Sequence, residues 1–391
     1  MNIPVQNCSS CGACTNVCAR SAITMQLDVD GFDRPVVDAE KCVQCGACEK
    51  VCPWSNTVEN PNASAELPRT VAAFAKNESV RLESSSGGIF TVLAEKIIDD
   101  GGVVFGVAQL TPIKFGHIVV DNKADLNKLR GSKYVQADAG LVYREVRSLL
   151  KFGKKVLFSG TPCQVAALYA VLGRSATSAD LVTVDIVCHG TPSVKVFEKY
   201  THELEKSRGG ALDSVVFRDK STGWGGYSLQ YRFVGGDSLL VHHARSKYMH
   251  LFLNRICQNQ SCDECHYRKL PRIADITLGD YWGISKYHPE MNDNKGTSVV
   301  LLNTDHGKAL FDSVADSVIQ CESKVEFAIA GNPCIVRSSK PHPKRAEFFA
   351  NLDRFTIDKL IKMYCPYPSF IGRLHKRAGG LLGRIRKMVL K

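Results

Sequence analysis

The stretch CSSCGACTNVC, with thiols at Cys8, Cys11, Cys14 and Cys18, recurs as CVQCGACEKVCP with Cys42, Cys45, Cys48 and Cys52, so every cysteine has a counterpart 34 positions later. A repeated C-x2-C-x2-C-x3-C unit leaves little freedom of fold. Three closely spaced thiolates wrap one face of an iron–sulfur cubane while backbone N–H groups of the turn point at its sulfides, and Gly12 and Gly46 let that turn stay tight. The fourth thiol, carried past the turn, reaches the other cluster. Structural zinc is the competing chemistry, but zinc modules usually separate two C-x2-C pairs by a dozen or more residues. Two [4Fe–4S] clusters are therefore expected within residues 1–56.

The remaining composition agrees. The N-terminus, MNIPVQNCSSCGAC, has neither a charged region nor an apolar core of a leader, and no stretch reaches the length of a spanning helix, so a cytoplasmic location is expected. Sixteen cysteines in such a compartment argue for metal ligation or redox chemistry over a disulfide framework. The net charge of +11 is concentrated at the end: IGRLHKRAGGLLGRIRKMVLK, from Ile371, carries seven Lys/Arg and no acid. The main body then holds too little positive charge for nucleic-acid binding.

The repeat resembles bacterial two-cluster ferredoxins. That resemblance implies Cys8, Cys11, Cys14 and Cys52 around one cluster, and Cys42, Cys45, Cys48 and Cys18 around the other. One departure is Ala19, where the second copy has Pro53; it removes no ligand.

Residues 57–70, polar and proline-containing, read as a linker. Beyond them, RTVAAFAK, VVFGVAQ, KKVLFSG and LVTVDIVCHG read as strands, alternating with helical stretches such as SSSGGIFTVLAEKIIDDGG. The alternation predicts an α/β core with a partly parallel sheet, divided here into residues 71–150 and 151–340. SVVFRDKSTGWGGYSLQYRFVGGDSLLVHH has the short alternating segments and Gly-rich turns of an antiparallel β insertion. The expected class is an α+β ferredoxin-like unit followed by an α/β flavin-binding body with that insertion, the flavin resting on the resemblance described below.

FSGTPCQVAAL and CHGTPSVKVF both end a strand at Gly-Thr-Pro, which predicts Thr161 and Thr191 as N-caps and Pro162 and Pro192 at the first helical position. Such helix starts, and the SSSGG turn, suit an anion as well as serving as plain caps. Cys163, in a first turn, is expected to have a lowered pKa and polar surroundings.

The ordered series SSSGGIFTVLA, RGSKYVQAD, FSGTPCQVAAL, VCHGTPS, FRDKSTGW and CDECHYRKLPRIADITLGDYWG resembles the beta-subunit family of coenzyme F420 hydrogenases and dehydrogenases, over roughly Val71 to Val336. The resemblance implies an FAD-binding oxidoreductase that exchanges electrons with iron–sulfur clusters and a hydride with a small organic substrate. The alternative is a non-catalytic electron-transfer subunit feeding a partner enzyme. Assay with an artificial one-electron donor separates the two. A redox partner protein, ferredoxin or another oxidoreductase subunit, is expected in either case. The FAD-contacting positions implied are Ser86, Gly87 and Gly88; Gly131, Ser132, Lys133 and Tyr134; and Gly160, Thr161, Pro162, Cys163 and Gln164. Lys133 is the expected cation for a pyrophosphate, against a solvated surface lysine. Gln164 is either a hydrogen-bond partner of the flavin ring or a helix cap. His189 is a candidate proton donor, against a satisfied structural histidine; the catalytic residues are otherwise unassigned. Asp280 reads equally as a turn residue, and Trp224 as packing.

Cys257, Cys262 and Cys265 supply three quarters of a further metal site. Zinc completed by His266 would need consecutive ligands, which strain a tetrahedron. A third [4Fe–4S] cluster is expected instead, with Cys188 as fourth ligand because it ends an apolar strand where α/β folds face their cofactor crevice. Cys163 is the rival. Residues 341–391 form a basic helical tail whose leucines share one face, a pattern suited to peripheral contact with the inner membrane face or to an acidic partner, against a frayed terminal helix.

Overall fold

The computed structural model describes residues 5–367 except 64, 65 and 339. The amphipathic part of the tail, from Ile371, lies outside the described residues. Among the described residues no helix is long and apolar enough to cross a membrane.

The two cysteine turns are copies in backbone as well as in sequence. Ser10 and Gln44 take φ 58° and 54°, and Gly12 and Gly46 take 77° and 70°, each glycine opening a short helix, Ala13–Val17 or Ala47–Lys50. An antiparallel hairpin, Ile23–Leu27 with Asp33–Val37, lies between the copies.

The body is a nine-stranded mixed sheet. Its order is Val318–Ser323, Arg69–Ala75, Ser298–Leu302, Ile276–Asp280, Leu181–Ile186, Val156–Gly160, Val103–Gln109, Phe115–Val120 and Ala137–Asp138. The four strands from Ile276–Asp280 to Val103–Gln109 are parallel, and antiparallel strands flank them on both sides. The parallel strands are mostly apolar, as burial on both faces favours, and polar residues buried in them are paired, Thr183 with Asp275 and Asp185 with Arg272. Helices Ile89–Asp99 and Asp305–Asp312 pack into one apolar cluster against the sheet, and Val142–Lys151 and Pro162–Leu172 into another. A separate three-stranded antiparallel sheet, Leu212–Asp219, Ser228–Phe233 and Ser238–His242, packs with helix Val194–Arg208 around an aromatic core including Phe197, Phe217 and Tyr248.

The two Gly-Thr-Pro junctions differ. The first follows its sequence: Pro162 opens the helix, and the Thr161 backbone N–H donates to Gln164 Oε1 at 2.9 Å. At the second, the helix starts only at Val194, and Ser193, not Thr191, is the N-cap. Tertiary bonds delay it, because Thr191 N–H donates to Cys262 Sγ and Pro192 bridges to Gln258.

The N-terminal unit is docked on the body. Tyr143 donates its hydroxyl to the Cys11 carbonyl at 2.7 Å, Arg144 donates to the carbonyls of Thr15 and Cys18, and Tyr267 donates to that of Pro53. Gly31 permits close approach, since a Cβ there would fall 2.4 Å from Lys195 Cβ.

Candidate functional site

Cys8, Cys11, Cys14 and Cys52 face one another at the buried side of the N-terminal unit. Burial pushes the Cys11 thiol up to about 12, and the charges of Cys8 and Cys52 add to the effect. Cys14 is raised by burial and then by Cys11, Cys8 and Cys52. A group of thiols in which burial and neighbouring sulfurs oppose ionisation of Cys11 and Cys14 is what a cationic iron–sulfide core relieves. The second foursome is nearer solvent: Cys18 and Cys48 share a small apolar cluster, whereas Cys45 is exposed. Backbone N–H groups reach sulfur at equivalent places in the two turns, from Ser10 to Cys8 at 3.3 Å and from Gln44 to Cys42 at 3.4 Å.

Further inside, four other thiols line one small cavity of about 40 Å³: Cys163, Cys188, Cys262 and Cys265. Cys163 lies in the first turn of the helix after strand Val156–Gly160, and Cys188 follows strand Leu181–Ile186, so adjacent parallel strands deliver both. Cys262 ends a 3-10 turn, Gln260–Cys262. Arg272 holds that loop to the sheet: fully buried, it donates to the Tyr267 carbonyl at 2.7 Å and pairs with Asp185 at 2.8 Å. Gly190 N–H reaches Cys188 Sγ and Thr191 N–H reaches Cys262 Sγ, at 3.4 and 3.3 Å. The positive charge of Arg268 favours the thiolates of Cys188 and Cys262 against their burial. Pro53 and Trp54 close the cavity from the N-terminal unit, with Trp54 stacked on His266 at 4.3 Å.

Two expectations are corrected here. Cys257 does not join the inner thiols. Its side chain is wholly buried in the aromatic core with Tyr248 and Cys365, and its carbonyl accepts from Ser193 N–H. Cys257, four residues past helix Lys247–Leu253, turns inward, and Cys163 stands in the place expected for it. Nor is the Cys163 pKa lowered: burial and the nearby thiols of Cys265, Cys188 and Cys11 raise it well above the ordinary value, outweighing the helix N-terminus.

Beside these thiols lies a cavity of about 540 Å³, within the range of small-molecule and cofactor sites. It gathers Ser86, Gly88, Gly131, Ser132, Lys133, Tyr134, Gly160, Thr161, Cys163 and Gln164 from three distant segments. Gly87 supports the wall from behind, since a Cβ there would lie 2.5 Å from the Ala73 carbonyl oxygen. Pro162 faces the small thiol cavity instead. Lys133 acts otherwise than expected, and Gln164 takes the second of its two expected roles. The Lys133 ammonium donates to the carbonyls of Lys128, Leu129 and Arg130, at 2.8–3.2 Å, and so closes the end of helix Leu126–Leu129 instead of offering a free cation. Gln164 accepts from the N–H and hydroxyl of Thr161 and acts as the cap.

Arg218 also lines the cavity, overlooked in the sequence although FRDKSTGW contains it. It forms a two-pronged ion pair with Asp280 at 2.9 and 3.1 Å and lies 3.9 Å above the Tyr227 ring. Trp224 donates its indole N–H to the same carboxylate at 2.7 Å. Asp280 and Trp224 are thus members of one polar network. His189 lines the cavity too; burial, with the charge of Arg268, holds its pKa below the ordinary range. Two buried wall atoms, Gln136 Oε1 and Arg218 Nε, have no hydrogen-bond partner among the described residues. Glycine-lined walls, a helix start and orphaned polar atoms fit a large polar cofactor such as FAD.

Family models match in the order of the motifs. Residues 70–141 match the N-terminal part, and residues 153–327 the C-terminal part, of the coenzyme F420 hydrogenase/dehydrogenase beta subunit. Together they span well over half of the chain. It belongs to the coenzyme F420 hydrogenase/dehydrogenase beta-subunit family. Ahead of this beta-subunit region, residues 7–56 match a 4Fe-4S dicluster domain, and a second dicluster model matches residues 34–82. The chain is accordingly an iron–sulfur subunit of oxidoreductase type. A solved chain from the F420-reducing [NiFe] hydrogenase complex of Methanosarcina barkeri is 19% identical, with 78% of this chain and 94% of that one covered and a TM-score of 0.48. No curated protein matches.

Proposed function

We propose that this beta-subunit homologue is an FAD-dependent iron–sulfur oxidoreductase. In this reading Cys8, Cys11, Cys14 and Cys52 hold an inner [4Fe–4S] cluster, and Cys18, Cys42, Cys45 and Cys48 hold an outer one. Cys163, Cys188, Cys262 and Cys265 hold a third, and FAD occupies the 540 Å³ cavity. One observation carries the proposal: Cys163, Cys188, Gly190 and Thr191 line the small thiol cavity and the large one alike, so the two sites share a wall. On the other side, Cys11 packs in the same apolar cluster as Cys163 and Cys265. The order from solvent inward is then outer foursome, inner foursome, third quartet and large cavity.

FAD, when bound, supplies the exchange between a two-electron hydride and single electrons. The chain's own residues supply the setting. Trp54, Pro53 and Tyr267 screen the inner thiols from water, Arg272 fixes their loop, and Asp280 holds Arg218 against the cavity wall. A lowered pKa leaves His189 neutral near pH 7, with its ring at the wall beside the Cys334 sulfur at 3.6–3.7 Å, where it can take up a proton. Exposure of Cys45 makes the outer foursome the place where a redox partner protein delivers or collects electrons.

The test is anaerobic preparation of the full chain, with iron, acid-labile sulfide and released flavin measured. About twelve irons and one FAD per chain are expected. Stoichiometric zinc with no visible absorbance, or protein that never retains flavin on reconstitution, would defeat the reading. Turnover of an offered small organic substrate with an artificial one-electron donor distinguishes an enzyme from a pure relay, which would reduce its partner protein alone.

A further inference from the structure

The nine-stranded sheet ends in strand Val318–Ser323, which among the described residues pairs on one side only, with Arg69–Ala75. Alternation along a strand puts Cys321 and Ser323 on one face. The segment containing helix Ile284–Tyr287 and the 3-10 turn Pro289–Met291 brings His288 and Glu290 to that face. One ligand atom each from His288, Glu290 and Cys321 lies within 4.8 Å of the other two. None of these residues belongs to the thiol sites or the large cavity, and Cys321 is a cysteine that neither the repeat nor the family motifs use.

The histidine is already oriented as a ligand. Its Nε2 lies 2.8 Å from Ser323 Oγ, so with the proton on Nε2 it donates to that hydroxyl, which in turn contacts the Tyr281 hydroxyl. This leaves the lone pair on Nδ1, 3.7 Å from Glu290 Oε1. Ligand atoms around a tetrahedral zinc stand roughly 3.3–3.8 Å apart, given Zn–N and Zn–O near 2.1 Å and Zn–S near 2.3 Å. A metal-bound histidine ordinarily donates its far N–H to a carboxylate, a carbonyl or water, and the Ser323 hydroxyl takes that part at His288.

We propose that His288, Glu290 and Cys321 form a zinc-binding site, with water as fourth ligand on the side left open by the largely exposed Glu290. On binding, the Cys321 thiol proton leaves to solvent as the Zn–S bond forms, and the neutral imidazole and the carboxylate ligate without further proton loss. The ion ties the edge strand to the 284–291 segment that packs over it. The site is independent of FAD and of the clusters, so it stands or falls separately from the proposed function.

The experiment uses the anaerobic full chain with its iron sites filled, equilibrated with zinc held at a fixed free concentration by a chelator, beside Cys321→Ser and His288→Gln variants. Wild type should hold one zinc beyond its iron, with zinc-edge X-ray absorption showing one sulfur and otherwise nitrogen and oxygen neighbours. Each variant should bind it at least tenfold more weakly while iron and flavin contents stay unchanged. Should one variant fail to fold, the other still decides. Wild type that holds no zinc, zinc taken up only as iron is displaced, or equal zinc in all three proteins would overturn the proposal.

Discussion

Replacing Cys163 and Cys257 in turn by alanine gives opposite results if the inner quartet is as the fold arranges it. Cys163 lines the small cavity with Cys188, Cys262 and Cys265, and its thiol feels the charges of Cys265, Cys188 and Cys11. Cys163→Ala should therefore lose about four of about twelve irons, with an equal loss of acid-labile sulfide. The signals of the two ferredoxin-type clusters should persist, and reduction of the flavin through the clusters should slow. Cys257, wholly buried against Tyr248 and its neighbours, acts as a small apolar side chain. Its truncation removes one buried heavy atom and leaves a small void, so Cys257→Ala should keep every iron and lower unfolding stability by about 1–2 kcal/mol. Iron and sulfide counts, low-temperature EPR of the reduced proteins and anaerobic denaturant titration read the three quantities. Full iron in Cys163→Ala together with a four-iron loss in Cys257→Ala would refute the assignment and restore Cys257 as the ligand.

Three further outcomes follow from the geometry. Asp280→Asn keeps an acceptor for the Trp224 indole but strips the charge from beneath buried Arg218, so it should cost about 3–5 kcal/mol and weaken flavin retention; an unchanged Tm would show that the pair carries no such weight. Gly87→Ala forces a Cβ to within 2.5 Å of the Ala73 carbonyl oxygen, whereas Gly210→Ala meets nothing closer than 3.9 Å, so the first should lose about 1–3 kcal/mol and the second almost nothing, as measured by denaturant titration. Burial lowers His117 to about 4, so between that value and the unfolded pKa of about 6.5 the unfolded chain binds the extra proton. Its contribution is present above about pH 6.5 and lost as the pH falls, up to about 3 kcal/mol in all, and His117→Gln should flatten the fall of Tm between about pH 6.5 and 5. Parallel falls in the two proteins would remove His117 from the account.

Local chemistry was legible in the residues because it depends on spacing. The thiols of the two repeats need only a tight turn, and the positive φ of Gly12 and Gly46 is what their position implies. Strand and helix periodicity announced the mixed α/β core, and the capping box of Thr161 and Gln164 was written in Gly-Thr-Pro-Cys-Gln. What distance in sequence separates, only the tertiary structure could join. Cys257 and Cys262 are five residues apart, yet one turns into an aromatic core and the other toward Cys188, because the chain leaving a helix has both directions open and packing selects between them. The second Gly-Thr-Pro looked like the first, but hydrogen bonds to a loop some seventy residues away held it extended. Arg218 and Asp280 become one ion pair only when the antiparallel sheet is laid beside the parallel one. Lys133 offered a charge to a ligand in the sequence and closes a helix in the fold, because three carbonyls at a helix end converge on its ammonium at 2.8–3.2 Å.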